Sequence, residues 1–100
     1  MPQTVTVRRH ATVTLALNDL ATINLSLPDD SECYVKNTGP GKAWLSLDAG
    51  KPATVGDPNN LVLALGDSVI FKRLTRNTVL TANADTASTI ITLVQNEGAF

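Results

Sequence analysis

The chain has 100 residues, a mass of 10.6 kDa and a formal net charge of −1 at pH 7. That length fits one domain, and 43% hydrophobic with 17% charged residues is typical of a folded chain and not of a disordered one. The near-neutral charge argues against nucleic-acid binding. The single cysteine, Cys33, and the single histidine, His10, exclude an intrachain disulfide and any multi-thiolate or all-histidine metal site within one chain. We therefore expect one domain over residues 1–100, with no metal and no cofactor.

The N-terminal residues, Met1–Thr4, show no basic segment followed by an apolar run. No stretch approaches the roughly 20 apolar residues that cross a bilayer. We expect no signal peptide, no membrane partner, and a protein that is made in a cytosol-like compartment.

β-branched residues dominate the chain, since 13 Thr, 9 Val and 4 Ile together make 26 of the 100 residues. Such side chains favour pleated sheets, and polar–apolar alternation with a period of two predicts strands that face a core. In chain order the predicted strands are Thr4–Val7, Thr12–Leu17, Thr22–Leu27, Cys33–Lys36, Ala43–Leu47, Leu61–Leu65, Ser68–Lys72, Thr78–Ala82 and Ser88–Val94. In the runs near Leu63 and Ile91 both the odd-numbered and the even-numbered residues are apolar, so the pattern does not show which set faces the core.

Turn residues separate these strands, because Gly, Pro, Asn and Asp each favour a specific turn conformation. The predicted turns and loops are Leu27–Asp30, Asn37–Lys42, Asp48–Pro52, Gly56–Asn60, Gly66–Asp67 and Arg76–Asn77. We interpret Asn37–Lys42 as a hairpin turn. The pattern predicts an all-β antiparallel β-sandwich, jelly-roll or Greek-key-like, with about eight or nine short strands and almost no helix.

Few residues could carry catalysis. His10 has the ionisation of a general base, but a turn position beside Arg8 and Arg9 is typical of a solvated histidine. Cys33 has inward parity, which favours a small buried hydrophobic residue over a nucleophile. The acidic group Asp29, Asp30 and Glu32 lacks the spacing of a calcium loop, so we interpret it as ordinary turn polarity. We predict no catalytic residue and no enzyme.

Two basic spots admit two interpretations. They are Arg8 with Arg9, and Lys72 with Arg73 and Arg76. Either spot could contact an acidic partner surface, or it could be a solvated strand end.

The four aromatic residues are more informative. If Cys33, Val35, Ala43 and Leu45 face inward, Tyr34 and Trp44 face outward, and pairing of the two strands in a hairpin would place both rings on one outer face. Tyr and Trp are enriched as interface anchors. Three explanations stay open: contact with a partner or another subunit, cover by the loop 51–60 of the same chain, and a platform for a sugar ring.

Phe100 is the last residue of the sequence and gives it an apolar C-terminal tip. It could dock on a neighbouring subunit or fray in solution. The predicted interface residues are therefore Tyr34, Trp44, Arg8, Arg9 and Phe100.

Three segments resemble the small all-β virion proteins of tailed bacteriophages. They are VKNTGPGKAWLSLD (35–48), NLVLALGDSVIF (60–71) and TVLTANADTASTIITLV (78–94). The resemblance is a pattern of turns and strands over roughly the C-terminal two-thirds of the chain. It implies a head decoration (cement) protein, a head-fibre base or a small tail component, located in the virion after assembly in the host cytoplasm.

The resemblance implies a non-enzymatic protein that binds the major capsid protein or another virion protein as a symmetric oligomer, with a trimer favoured. The alternative is a carbohydrate- or receptor-binding module of a phage tail or head fibre, in which Trp44 and Tyr34 stack on a glycan. An enzyme of the cupin or lyase kind is a remote third reading, because such sites need more than the one histidine of this chain.

Overall fold

The computed structural model describes residues 3–25, 32–47, 51–72 and 79–96. This part of the chain contains strands and no helix, which confirms the predicted all-β class. The strands in chain order are β1 (Gln3–Val7), β2 (His10–Leu15), β3 (Ala21–Leu25), β4 (Glu32–Gly39), β5 (Ala43–Ser46), β6 (Leu61–Leu63), β7 (Ser68–Lys72), β8 (Val79–Ala84) and β9 (Thr89–Asn96). Each overlaps a strand that the alternation predicts.

The strands form two sheets that pack face to face. One sheet has the order β1-β3-β8-β5-β6, and the other has the order β2-β9-β4-β7. All pairings are antiparallel except that of β1 with β3. From β2 onward the chain changes sheet at every connection except β5–β6. The orders β3-β8-β5-β6 and β2-β9-β4-β7 are those of an eight-stranded jelly roll, to which β1 adds one parallel edge strand.

Alternate residues of the strands meet between the sheets and form the core. Val35, Leu15 and Ile23 are fully buried there, as the period of two predicts. The structure also settles the two runs whose inward faces stayed open, because Leu63, Ile91 and Leu93 belong to the core. Packing of the two inner faces against each other is what stabilises a sandwich of this size.

The segment Asn37–Lys42 is not a hairpin turn, so that interpretation is wrong. It carries the chain from β4 in one sheet to β5 in the other. The neighbours of β4 are β7 and β9, and the neighbours of β5 are β6 and β8. Alternation fixes which way a side chain points, but it does not fix which strand lies alongside, and the predicted pairing of β4 with β5 therefore fails.

Asn37 holds this corner together from inside. Its side chain is completely buried, and its Nδ2 donates to the carbonyls of Gly41 and Leu63, both at 2.7 Å. Its Oδ1 accepts from the Gly39 amide at 2.7 Å. Gly39 has φ +90°, a backbone conformation that favours glycine, whereas a Cβ there would meet only the end of the exposed Leu65 side chain. The buried amide thus satisfies three backbone groups where the chain changes sheet.

Candidate functional site

The two candidates for acid–base or nucleophilic chemistry occupy opposite environments. Cys33 has no exposed surface and belongs to the core cluster. Burial raises the pKa of its thiol to about 12, so the sulfur is protonated at neutral pH and cannot act as a nucleophile. His10 is exposed at the first position of β2, opposite Val94 on β9. The predictions of a buried cysteine and a solvated histidine are both confirmed.

The bend between β1 and β2 presents Arg8 and Arg9 to solvent on a fixed backbone. Gln95 is buried on β9, and its Nε2 donates to the carbonyls of Val7 and Arg8 at 2.8 and 2.9 Å. The amide of Gln95 donates to the Arg9 carbonyl at 2.7 Å. Both arginines are exposed, so this bend offers two cations whose main chain is held in place.

Several predicted residues lie outside the described residues, namely Phe100, Asp29, Asp30, Arg73 and Arg76. Within the described ranges, no three His, Cys, Asp or Glu side chains are grouped so that they could hold a metal ion. The same part of the chain contains no helix with the length and apolar character needed to cross a membrane.

Trp44 lies on the outer face of β5 but has little contact with solvent. It pairs with Val62 on β6 and with Asn83 on β8, and only 9% of its surface is exposed. The loop 51–60 lies against this face, where Asn83 Nδ2 donates to the Ala53 carbonyl at 3.3 Å and the Ala53 amide donates to Thr81 Oγ1 at 2.9 Å. Ala53 is itself 2% exposed. This arrangement favours the interpretation in which the chain's own loop covers Trp44.

Further hydrogen bonds hold the loop 51–60 in one shape. Ser46 Oγ, on β5, donates to the Lys51 carbonyl at 2.8 Å. At the middle of the loop the Thr54 amide donates to Asn60 Oδ1 at 2.8 Å, and the Asp57 amide donates to the Thr54 carbonyl at 3.1 Å. The first residues of the loop are therefore bonded to β5 and β8, and the rest of the loop is closed by bonds within itself.

Tyr34 lies on the outer face of the other sheet, in a row that crosses all four strands. Tyr34 on β4 is paired with Ile70 on β7 and with Val94 on β9, and Val94 is paired with His10 on β2. Tyr34 and Val94 are half-buried, whereas Ile70 is 51% exposed. We call these four residues, His10, Val94, Tyr34 and Ile70, the Tyr34 row.

A polar row runs parallel to the Tyr34 row on the same face. It has one residue from each strand, and its members are Thr12, Thr92, Lys36 and Ser68. Apolar side chains bounded by short hydroxyls and one lysine give a face with an apolar strip and a polar margin, as protein interfaces have.

The shared face that was predicted for Tyr34 and Trp44 is wrong, since the two rings belong to different sheets and point away from the sandwich on opposite sides. The predicted outward parity of both rings is right. Ile70 was missed, although the alternation in Ser68–Lys72 already sets Ile70 on the face opposite Val69 and Phe71. The interface roles of Tyr34, Trp44, Arg8, Arg9 and Phe100 stay predictions.

Comparison with protein-family models, with curated proteins and with solved structures finds no match to this chain.

Proposed function

We propose that this chain is a non-enzymatic virion structural protein that binds the capsid surface of a tailed bacteriophage as a symmetric oligomer and stabilises the head. The observation that carries the proposal is the Tyr34 row, in which Tyr34 lies between the apolar Val94 and Ile70 on the outer face of the four-stranded sheet. Aromatic side chains in such positions dominate the energy of protein interfaces. The resemblance to small virion proteins supplies the identity of the partner, the major capsid protein or another virion protein.

The size of the face supports multivalent attachment. Four strands at about 4.8 Å spacing and five residues at about 3.4 Å give a plane of roughly 320 Å². A standard stable interface buries about 800 Å² on each partner. One face of one subunit therefore gives a weak contact, and an oligomer that engages several equivalent capsid sites multiplies the weak contacts into firm attachment.

Arg8 and Arg9 would act mainly on the rate of encounter in this proposal. Both side chains are exposed, and the bend that carries them leads into β2, the strand of His10. Exposed charges at the rim of an interface steer association more than they add to affinity, and salt screens their effect.

The test uses heads purified from a mutant of the source phage that lacks this gene. Adding the wild-type protein is expected to produce co-sedimentation with the heads and to raise the temperature at which they release DNA. Tyr34→Ala is expected to weaken binding by about 30-fold, the effect of losing one central aromatic anchor.

Thr4→Ala is the control, because Thr4 is exposed on β1 in the other sheet. Failure of the wild-type protein to bind, or equal binding by the Tyr34→Ala and wild-type proteins, would contradict the proposal. The alternative is a carbohydrate- or receptor-binding module in which Trp44 and Tyr34 stack on a glycan, and these two rings lie on opposite faces of the sandwich.

A further inference from the structure

The strand β7 has one paired edge and one edge to which no described strand is bonded. On the paired side, the Asn37 amide donates to the Asp67 carbonyl at 2.9 Å and the Gly66 amide donates to the Asn37 carbonyl at 2.8 Å. Hydrogen-bonded and non-bonded pairs alternate along an antiparallel ladder. Since Asp67 is bonded to β4, every second residue after it, Val69 and then Phe71, also directs its backbone N–H and C=O groups toward β4.

The intervening residues of β7 direct their N–H and C=O groups the other way. These residues are Ser68, Ile70 and Lys72, and within the described part of the chain the sheet ends there. An edge with regularly spaced donors and acceptors can add another strand. Natural edges are blunted by proline or by charged residues; β7 contains no proline, and its one charged residue, Lys72, is the last residue of the strand.

Exposed apolar side chains concentrate on the same side of the sandwich. Among the described residues, four of the five large hydrophobic side chains with high exposure belong to β6, β7 or their connection. They are Leu61 (46%), Val62 (39%), Leu65 (63%) and Ile70 (51%). Val62 lies on the outer face of Trp44 and Ile70 on that of Tyr34, so these residues mark one edge of the sandwich and do not form a single patch.

The sandwich is also incompletely filled on this side. A cavity of about 340 Å³ lies between β5–β6 and β7, and its lining is mostly apolar, with Ser46 and Asn59 as its polar residues. Leu61 lines it from one sheet, and Val69 and Phe71 line it from the other. Leu61 points to the same side of β6 as the buried Leu63, yet it is nearly half exposed because it lines this cavity.

The opposite side of the sandwich is finished differently. There the edge strands are β1 and β2, and their exposed outward residues are threonines apart from His10, which begins β2. By the same alternation, Thr14 on β2 directs its carbonyl away from β9, and Gln3 Nε2 donates to this carbonyl at 2.7 Å. The chain thus caps an edge carbonyl on the β1–β2 side with its own side chain.

We propose that β7 pairs antiparallel with β7 of a second copy of the chain, which joins two four-stranded sheets into one eight-stranded sheet. This inference rests on the symmetric oligomer of the proposed function and replaces the expected trimer with a twofold dimer. The occupant is a second copy because the strand is self-complementary: with Ile70 opposite Ile70 of the second copy, Ser68 falls opposite Lys72, and all three pairs are of the hydrogen-bonded type.

The pairing also accounts for some of the exposed apolar residues. The Tyr34 row continues through Ile70 into Ile70 and Tyr34 of the second copy, so the apolar strip doubles in length. The axis runs perpendicular to the sheet, so the two β6 edges face each other behind β7. Leu61, which lines the cavity, then lies near the β6 edge of the second copy, whereas Val62 stays on the outer face of the other sheet.

The experiment is sedimentation velocity on the wild-type protein and on two lysine variants, Ile70→Lys and Thr12→Lys, at concentrations from about 1 to about 100 µM. Ile70 and Thr12 are both exposed outer-face residues on edge strands of the same sheet, one on β7 and one on β2. The wild-type protein and Thr12→Lys are expected to form dimers, and Ile70→Lys is expected to weaken dimerisation by at least about tenfold.

Hydrogen exchange on the wild-type protein provides a second readout that needs no variant. The Ser68 and Ile70 amides are expected to become more protected as concentration rises, while the Thr12 amide on the opposite edge is not. A wild-type monomer or trimer over the whole range, a dimer that Ile70→Lys leaves intact, or edge amides indifferent to concentration would each overturn the interface. A protein that forms this dimer but does not bind to the phage heads would contradict only the proposed function.

Discussion

The two outer faces of the sandwich begin from the same alternating pattern and end in different states. On the β5–β8 face the loop 51–60 is fixed to Thr81 and Asn83, and Trp44 is 9% exposed. On the β4–β9 face Tyr34 lies in a row that ends in a half-exposed Ile70. An outward aromatic residue is thus not by itself a binding residue, because another segment of the same chain, such as the loop 51–60, can lie against its face.

The separation of the two rings has a local cause at the corner between β4 and β5. A hairpin there would have left both rings on one face, whereas the buried Asn37 directs the chain into the other sheet. Its three hydrogen bonds all involve backbone groups near the crossing, including the carbonyl of Leu63 on β6. The buried Asn37 side chain therefore stabilises the crossing that separates the two rings.

The largest effect is expected at this corner. Asn37→Ala leaves two carbonyls and one amide without their partner and opens a small cavity, so we expect a loss of about 4 kcal/mol in the free energy of unfolding. Urea denaturation followed by the fluorescence of Trp44, the only tryptophan, measures it. Thr38→Ala is the control, because Thr38 is exposed and makes one side-chain bond, to the Ile90 carbonyl. A similar small loss in both variants would show that the corner does not depend on the amide.

The direct comparison of the two rings gives the next largest effect. Trp44→Ala is expected to cost about 3 kcal/mol, since it empties space under the loop, while Tyr34→Ala is expected to cost about 1 kcal/mol. Thermal or urea unfolding of both variants is followed by circular dichroism, because Trp44→Ala removes the only tryptophan and with it the fluorescence signal. Equal losses would mean that the two faces are covered to the same degree, and the assignment of Tyr34 to a binding face would lose its basis.

Much of the fold follows from local patterns, as particular residues show. Thr12–Leu15 and Cys33–Lys36 alternate strictly, and the residues with apolar parity, such as Val13 and Val35, are those buried. The partners of β4 could not be obtained in this way, because a period of two constrains the face of each residue but not the neighbouring strand. Neighbours in a jelly roll are distant in sequence, as β4 and β9 are.

The candidate site was predictable only in part for the same reason. The outward direction of Tyr34 follows from its position between Cys33 and Val35, and that of Ile70 follows from Val69 and Phe71. Their assembly into one row with Val94 requires the pairing of β4 with both β7 and β9, which no local signal contains. Cover of Trp44 by the loop 51–60 was one of three explanations that the sequence left open, because no sequence pattern around Ala53 indicates its hydrogen bond to Thr81.

The smallest effect is expected where the cover is attached, and it tests why the two faces differ. Thr81→Val keeps the shape of the side chain but removes the hydroxyl that accepts from Ala53, so we expect a loss of about 1 kcal/mol and stronger quenching of Trp44 fluorescence by acrylamide. Thr22→Val is the matched control, because Thr22 lies directly opposite on β3 and the bonds that fix Ala53 come from β8. If the loop is what hides Trp44, quenching increases in Thr81→Val alone. Unchanged quenching would mean that packing by the neighbouring strands buries the ring without the loop, and the contrast between the faces would then originate in the sheets themselves.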